Sequence, residues 1–174
     1  MRTRFTKRWS AQSLLVLPAL LLSACGSLRP GALPPGTPID EARQTNGRPT
    51  GEYGLPGGGR RLEYALGSFG KLTYMLDFDA QGRLVKTDQV LDDAHFAAIQ
   101  RGMTSDEVRM RLGRPAWVFG VAYPERASVW NYRYFEGDCV WFQVSIGGDG
   151  TVIDAAHGQD PACDVGGDDR NSSN

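Results

Sequence analysis

The two histidines, His95 and His157, are the first side chains to consider for acid-base or metal chemistry. Neither stands in a pattern of cysteines or carboxylates with metal-ligand spacing, so a surface or helix-capping role is favoured for both. Nucleophilic catalysis would need a serine paired with a histidine. No such pattern surrounds Ser68, Ser105, Ser128 or Ser145.

Two short stretches share features with known ligand sites. Residues 77–82 (DFDAQG) begin like a calcium loop, but Asp88 stands where that loop requires a bidentate glutamate. A strand followed by a hairpin turn is the preferred interpretation. Residues 57–59 (GGG) lack the lysine and helix that follow a phosphate-binding loop, which favours a hairpin connection. The sequence therefore predicts a non-enzyme with no metal and no cofactor.

Cys25 is the residue whose surroundings indicate covalent chemistry. Residues 22–25 (LSAC) end an apolar run that begins at residue 14, and four basic side chains precede it: Arg2, Arg4, Lys7 and Arg8. The segment resembles the lipobox of bacterial lipoproteins, which implies cleavage before Cys25 and acylation of that cysteine. One alternative is a transmembrane helix, although the run is about half the ~20 residues that a span needs. The other is an ordinary signal peptide followed by a coincidental cysteine.

Loss of residues 1–24 as a signal peptide would change the charge of the chain. It removes four of the 19 Lys and Arg residues and none of the 20 Asp and Glu residues, so the mature net charge is −5. An acidic chain is a poor partner for nucleic acid. The lipobox resemblance also implies a location, because aspartate after the acylated cysteine favours the inner membrane and this chain has Gly26. The periplasmic face of the outer membrane is predicted, with the acylated Cys25 held in its lipid.

The other two cysteines, Cys139 and Cys163, would then lie in an oxidising compartment where disulfides persist. We predict a disulfide between them, the alternative being two separate buried thiols. Such a bond would tie the acidic C-terminal tail to a strand and restrict the unfolded chain.

Composition divides the rest of the chain into segments. Residues 25–37 are rich in Pro and Gly and are predicted to be an extended tether, long enough to lift a domain about 30 Å from the lipid. Residues 164–174 are polar and predicted to be disordered. Residues 38–90 and 91–163 form two predicted structural units between them.

An internal repeat relates these two units. Residues 36–49 align without gaps on residues 102–115, an offset of 66, with seven identities in 14 positions. After a two-residue insertion the offset becomes 68, and the apolar positions of residues 72–78 fall on those of residues 140–146. The sequence therefore predicts a duplicated structural unit.

Each unit is predicted to be one short helix followed by a three-stranded antiparallel meander. In the second unit Thr104 and Glu107 form a capping box, and Gly113 ends the helix. Residues 130–134 and 140–146 alternate as half-buried strands, and residues 151–156 complete the sheet. Residues 93–101 add a further helix that is not duplicated. The predicted fold class is α+β, with tandem units of this kind.

A family resemblance is carried by residues 96–115 (FAAIQRGMTSDEVRMRLGRP), by residues 130–132 (WNY) and by residues 150–152 (GTV). These resemble the SmpA/OmlA (BamE) family of small outer-membrane lipoproteins. The resemblance implies two helices on a three-stranded antiparallel sheet, a BamE-like two-layer sandwich. It also implies an accessory role in the machinery that folds β-barrel proteins into the outer membrane. A chain with two such units is similar in plan to the tandem-repeat β-lactamase inhibitor protein.

Aromatic side chains crowd the second unit. Nine of them lie within 26 residues: Trp117, Phe119, Tyr123, Trp130, Tyr132, Tyr134, Phe135, Trp141 and Phe142. Trp117, Phe119 and Tyr123 are predicted on a loop and Trp141 on the sheet face opposite Phe142, where they could anchor a partner protein. The alternative is that they form a second core at the sheet faces and the seam between units.

Two functions of different class follow. The first is a lipid-anchored, non-enzymatic accessory factor in outer-membrane β-barrel assembly or envelope integrity, with envelope proteins such as that machinery as partners. The second is a lipid-tethered periplasmic inhibitor or binding module. Permanent lipidation favours the first, because an inhibitor of diffusing targets gains little from an anchor.

Overall fold

The computed structural model describes residues 30–67, 70–121, 126–134, 139–160 and 163. The predicted signal peptide, Cys25, Tyr123 and the tail of residues 164–174 lie outside these ranges. Within them, no helix has the length and apolarity that crossing a membrane requires.

The chain forms an α+β fold with two antiparallel sheets of four strands each. The first half contains α1 (Ile39–Asn46), β1 (Gly51–Gly54), β2 (Arg60–Leu66), β3 (Leu72–Phe78) and β4 (Leu84–Gln89). The second half contains α2 (Asp93–Phe96), α3 (Ser105–Leu112), β5 (Trp117–Val121), β6 (Ala127–Arg133), β7 (Val140–Ile146) and β8 (Val152–Gln159). Short 3-10 turns occur at Pro30–Ala32 and Pro56–Gly58. Strand order follows chain order in both sheets, so each is a meander.

The prediction of three strands per sheet was wrong, because β1 and β5 each add an edge strand. Neither segment has one continuously buried face: β1 alternates between half-buried and exposed, and every residue of β5 is exposed. Period-two patterning reports a strand only when one of its faces is buried. Trp117 and Phe119 therefore lie on a strand and not on the predicted loop.

The predicted capping box of α3 is confirmed. The backbone N–H of Glu107 donates to the Thr104 hydroxyl at 3.2 Å, and the Glu107 carboxylate accepts from the Thr104 N–H at 2.7 Å. Gly113 ends the helix with φ 78°, a conformation that costs a glycine little. Helix α1 lacks the box because Pro38 precedes it and offers no side-chain cap.

Equivalent hydrogen bonds join helix and sheet in the two halves. The Gly36 N–H donates to the Leu84 carbonyl at 2.7 Å, and the Gly102 N–H donates to the Val152 carbonyl at 2.8 Å. Helices α1 and α3 have the same length at an offset of 66 residues, and β3 and β7 have the same length at an offset of 68.

The two sheets pack on opposite sides of α3. One face of the first sheet covers α1, with a core of Ala42, Leu62, Tyr64, Leu76, Phe78 and Leu84. Its other face meets α3, since Met75 joins the core around Val108 and Leu112. The Arg61 side chain reinforces this contact, because it donates to the Met110 carbonyl at 2.5 Å and to Asp77 at 2.6 Å. The second sheet packs against the same core through Trp130, Tyr132 and Phe142.

Residues 30–37 pack on the first sheet, although they fall within the predicted tether. Pro30 is buried, and a Cβ atom on Gly31 would lie 2.7 Å from the Tyr74 ring. Leu33 packs against the core of the first half. The chain is therefore docked from Pro30 onward, which shortens any free segment after Cys25.

The structure contains the disulfide between Cys139 and Cys163, with Cα atoms 5.5 Å apart. Asp160 lies between them in space: its N–H donates to the Cys139 carbonyl at 2.9 Å, and its carbonyl accepts from the Cys163 N–H at 2.9 Å. The Asp160 carboxylate also accepts two bonds from Arg133, at 2.6 and 3.0 Å. The start of β7 and the end of β8 are thus fastened together.

Candidate interaction surface

Strand β5 is an edge strand with apolar side chains exposed on both faces. Among the described residues six large apolar side chains are exposed, and four of them lie on β5: Trp117 (58%), Val118 (50%), Phe119 (40%) and Val121 (40%). We call this strand and its unpaired side the β5 edge. A contiguous exposed apolar patch marks a site of interaction.

The β5 edge is held in place by β6. Trp117 pairs with Asn131 and Phe119 with Val129 in antiparallel register. Asn131 is fully buried, and its amide donates to the Trp117 carbonyl at 3.3 Å and to the Val129 carbonyl at 3.0 Å. It also accepts from the Gln143 amide at 2.9 Å. This buried network keeps an otherwise exposed strand attached to the sheet.

Three aromatic rings follow one another across the outer face of the second sheet. The rings of Trp117 and Phe119 are 6.0 Å apart, and that of Phe119 stands edge-on to Trp141 at 5.8 Å. Trp141, one of the residues that the sequence offered as a partner anchor, is only 3% exposed. It lies beside Phe119 and under the Arg133 guanidinium, at 5.5 Å, and its buried indole nitrogen has no hydrogen-bond partner among the described residues. Tyr123, the fourth predicted anchor, lies outside the described residues.

Two clefts flank the first residues of β5. One, of about 440 Å³, lies on the Trp117 side and is bordered by Ala65, Gly67, Gly70 and Arg114. The other, of about 470 Å³, lies on the Val118 side and reaches Tyr53, Glu63, Arg109 and Arg114. Arg114 borders both clefts, so the two clefts meet at the residues that precede β5.

A buried carboxylate forms one wall of the cleft on the Val118 side. Glu63 is fully buried and accepts hydrogen bonds from the Thr50 hydroxyl at 2.8 Å and from the Tyr53 hydroxyl at 2.5 Å. Burial, and then the hydrogen bond to Glu63, raise the pKa of Tyr53 well above its usual range. A Cβ atom on Gly51 would lie 2.7 Å from the Glu63 carboxylate. The site therefore requires a glycine there and keeps Tyr53 protonated as a donor.

Two arginines supply positive charge to the same cleft. The Arg109 guanidinium lies 4.8 Å from the centre of the Trp130 ring. In the part of the chain that the structure describes, neither Arg109 nor Arg114 forms an ion pair with a carboxylate. The cleft is also lined by Glu52, which pairs with Arg43, and by Glu63, which accepts from Thr50 and Tyr53. Arg109 and Arg114 are therefore the groups in this cleft that a carboxylate from outside the chain would meet.

His95 lies in α2 and His157 on β8, and neither histidine belongs to this surface. His95 Nδ1 lies 2.7 Å from the carboxylate of Asp92, the N-cap of α2, and Nε2 lies 3.3 Å from Asp88. His157 Nε2 lies 3.3 Å from Asp93. The predicted capping role suits His95, whose ring contacts the N-cap residue Asp92. The carboxylates around the two rings were not predicted from the sequence, because Asp88 reaches His95 only through the position of β4. In the described ranges, no group of His, Cys, Asp and Glu is arranged to hold a metal.

The carboxylates around His95 predict part of the acid sensitivity of the fold. Burial raises the pKa of Asp88, but hydrogen bonds from Lys86 and His95 outweigh it and lower that pKa below its ordinary value of 3.8. Burial also raises the pKa of Asp92, but hydrogen bonds from His95 have the larger combined effect and lower that pKa. A group whose pKa falls on folding stabilises the protein at pH values above its ordinary pKa. That stabilisation is lost as the pH drops through the pKa of the folded state.

We therefore expect the double variant Asp88→Asn with Asp92→Asn to lose less stability on acidification than the wild type. Asparagine remains a good N-cap, so the substitution at Asp92 removes charge without removing the cap. Urea unfolding at several values between about pH 2.5 and about pH 6 measures the difference. Asp40→Asn, at a side chain that is 91% exposed, is the control. Parallel pH profiles for wild type and double variant would contradict the prediction.

The sequence analysis identified Trp117 and Phe119 but missed Val118, Val121, Arg109 and Arg114. The missing signal was available in residues 117–121 (WVFGV), an uncharged run rich in strand-forming residues that begins two positions after Pro115. Arg114 is one of the seven identities of the internal repeat, and no role was predicted for its side chain.

Comparison with known proteins adds no assignment to this surface. No protein-family model, no curated protein and no solved structure matches the chain.

Proposed function

We propose that this chain is a lipid-anchored, non-enzymatic interaction protein of the bacterial envelope that assists the assembly of outer-membrane β-barrel proteins. The observation that supports it best is the β5 edge, an apolar strand exposed on both faces beside two clefts. Apolar and aromatic side chains in such a position are typical of binding hot spots. The assembly role itself comes from the resemblance of residues 96–115 to the SmpA/OmlA (BamE) family.

The anchor in this proposal is the acylated Cys25 in the outer membrane, facing the periplasm. Its support is the LSAC motif with its basic and apolar flank. The disulfide between Cys139 and Cys163 suits an oxidising compartment.

The two halves of the chain are, in this proposal, tandem BamE-like units. Support comes from the seven identities between residues 36–49 and residues 102–115. It also comes from the equal lengths of α1 and α3 and the equivalent hydrogen bonds of Gly36 and Gly102. The units would each have four strands, one more than the sequence indicated.

A tethered inhibitor or binding module of a periplasmic enzyme is the second candidate. The observation that favours it is the cleft between the halves, which draws Tyr53 and Glu63 from one sheet and Arg109 and Val118 from the other half. A tandem protein can present such a composite surface to one partner. This candidate rests on architecture alone.

Crosslinking and affinity capture from solubilised outer membranes test the proposed function. The wild type is expected to recover subunits of the β-barrel assembly machinery, and a Cys25→Ala form released into the periplasm is expected to lose them. Replacing Trp117 and Phe119 together by alanine should also abolish capture. Replacing Val85 and Ile153 by alanine is the matched control, because among the described residues these are the two exposed large apolar side chains that lie outside β5.

Two results would overturn the proposal. One is capture that is equal in the wild type and in the Trp117→Ala, Phe119→Ala variant. The other is recovery of a soluble periplasmic enzyme from both the wild type and the Cys25→Ala form, which would favour the inhibitor.

A further inference from the structure

We propose that the β5 edge binds an extended segment of a partner protein as a fifth strand of the second sheet, with a carboxylate of that segment seated on Arg114. This inference rests on the proposed function and specifies how its partner is bound. The partner is defined by chemistry: an apolar, strand-forming segment with an acidic residue at one end.

The first argument is that one side of β5 is open. All five residues of β5 pair with β6, and in the described part of the chain no strand pairs with its other side. The open side has a row of backbone donors and acceptors that a further strand can use.

The second argument is that β5 lacks the charged residues that protect the other edges. Strand β1 carries Glu52, β4 carries Lys86 and Asp88, and β8 carries Asp154. Strand β5 has no charged residue and no proline. Natural sheets place such residues on edge strands to prevent pairing with other chains, so the β5 edge is the one of the four that remains open to it.

The third argument concerns side-chain recognition. Trp117 and Val118 face opposite sides of the sheet, and a separate cleft adjoins each of them. Successive side chains of an added strand alternate in the same way. Such a strand would therefore place neighbouring side chains alternately on the Trp117 side and on the Val118 side.

Charge favours a partner segment that carries an acidic residue. Arg114 precedes β5, and Arg109 lies near it in the same cleft. An acidic residue of the added strand would meet these two cations.

Hydrogen exchange with synthetic peptides tests this inference on the full chain with its disulfide intact. The probe is the peptide acetyl-Glu-Val-Thr-Val-Thr-Val-amide, and its counterparts carry Lys in place of Glu or Pro in place of both Thr residues. We expect the Glu peptide to slow exchange of the backbone amides of residues 117–121. The Lys peptide should bind roughly tenfold more weakly, and the Pro peptide should give no protection because it cannot form the ladder.

Val118→Lys should weaken binding of the Glu peptide by about tenfold or more, since a lysine on an edge strand opposes pairing. Val85→Lys is the matched control: Val85 is a similarly exposed valine, 58% against 50%, on the edge strand of the other sheet. It should bind the peptide like the wild type.

Three results would overturn strand addition. They are peptide binding without protection of residues 117–121, an equal loss of binding in Val118→Lys and Val85→Lys, and protection that rises with protein concentration when no peptide is present. The last would assign the β5 edge to a second copy. If envelope subunits are still captured through Trp117 and Phe119 but residues 117–121 are not protected, the proposed function stands and only strand addition fails.

Discussion

Phe96→Ala is expected to lower the free energy of unfolding by about 3–5 kcal/mol, the range for removing a buried aromatic ring from a core. Phe96 is 2% exposed and is the buried side chain of α2, a helix of four residues. Its ring stacks on Phe142 with centroids 4.4 Å apart, stands edge-on to Tyr134 at 5.1 Å and lies 6.0 Å from His157. So short a helix has little stability of its own, and the cavity would also release α2 from the second sheet.

Urea unfolding followed by tryptophan fluorescence measures this loss. Phe96→Leu keeps much of the apolar volume, so it should lower the free energy of unfolding by less than Phe96→Ala does. Val85→Ala, at an exposed valine, should stay within about 0.5 kcal/mol of the wild type. A loss below about 1 kcal/mol for Phe96→Ala would contradict the packing of α2 described above.

Cys139→Ser is expected to lower the free energy of unfolding by about 2–4 kcal/mol, because a bond that closes a loop restricts the unfolded chain. The two cysteines are 24 residues apart, and the loop contains β7 and β8. The folded state keeps one further attachment at the same place, the ion pair of Arg133 with Asp160. We therefore expect the variant to fold and to be less stable.

The reciprocal substitution provides the control. Cys163→Ser should cause the same loss, and the double variant should lose no more than either single variant, because one bond is removed in all three. Reduction of the wild type by dithiothreitol should bring its unfolding midpoint to that of Cys139→Ser. Losses in the two single variants that add in the double variant would show that the cysteines act separately.

Helix α3 and the central strands were predictable because their signals are local. The capping box of Thr104 and Glu107 defines where the helix begins, and Gly113 defines where it ends. Strand β7 alternates buried and half-buried residues from Phe142 to Ile146, which is the pattern that predicted it.

Strand β5 and the position of Trp141 were not predictable in the same way. An edge strand that is exposed on both faces has no hydrophobic period, so periodicity does not distinguish it from a loop and only its composition indicates a strand. Trp141 was correctly placed on the face opposite Phe142, but its burial depends on Phe119 and Arg133, which reach it from neighbouring strands. The candidate surface was thus predictable in its aromatic content and not in its geometry.

The packing of Pro30 and Gly31 on the first sheet determines how far the protein can reach from a lipid anchor. Under the proposed acylation of Cys25, residues 26–29 join the anchor to Pro30, the first residue that the structure describes, and the five steps from Cys25 to Pro30 span at most about 18 Å when fully extended. The tether of about 30 Å inferred from composition is therefore too long. A domain on so short a tether would stay in a shallow layer beside the bilayer and would meet its partner by diffusion in two dimensions. A segment that pairs with the β5 edge must present itself in that layer.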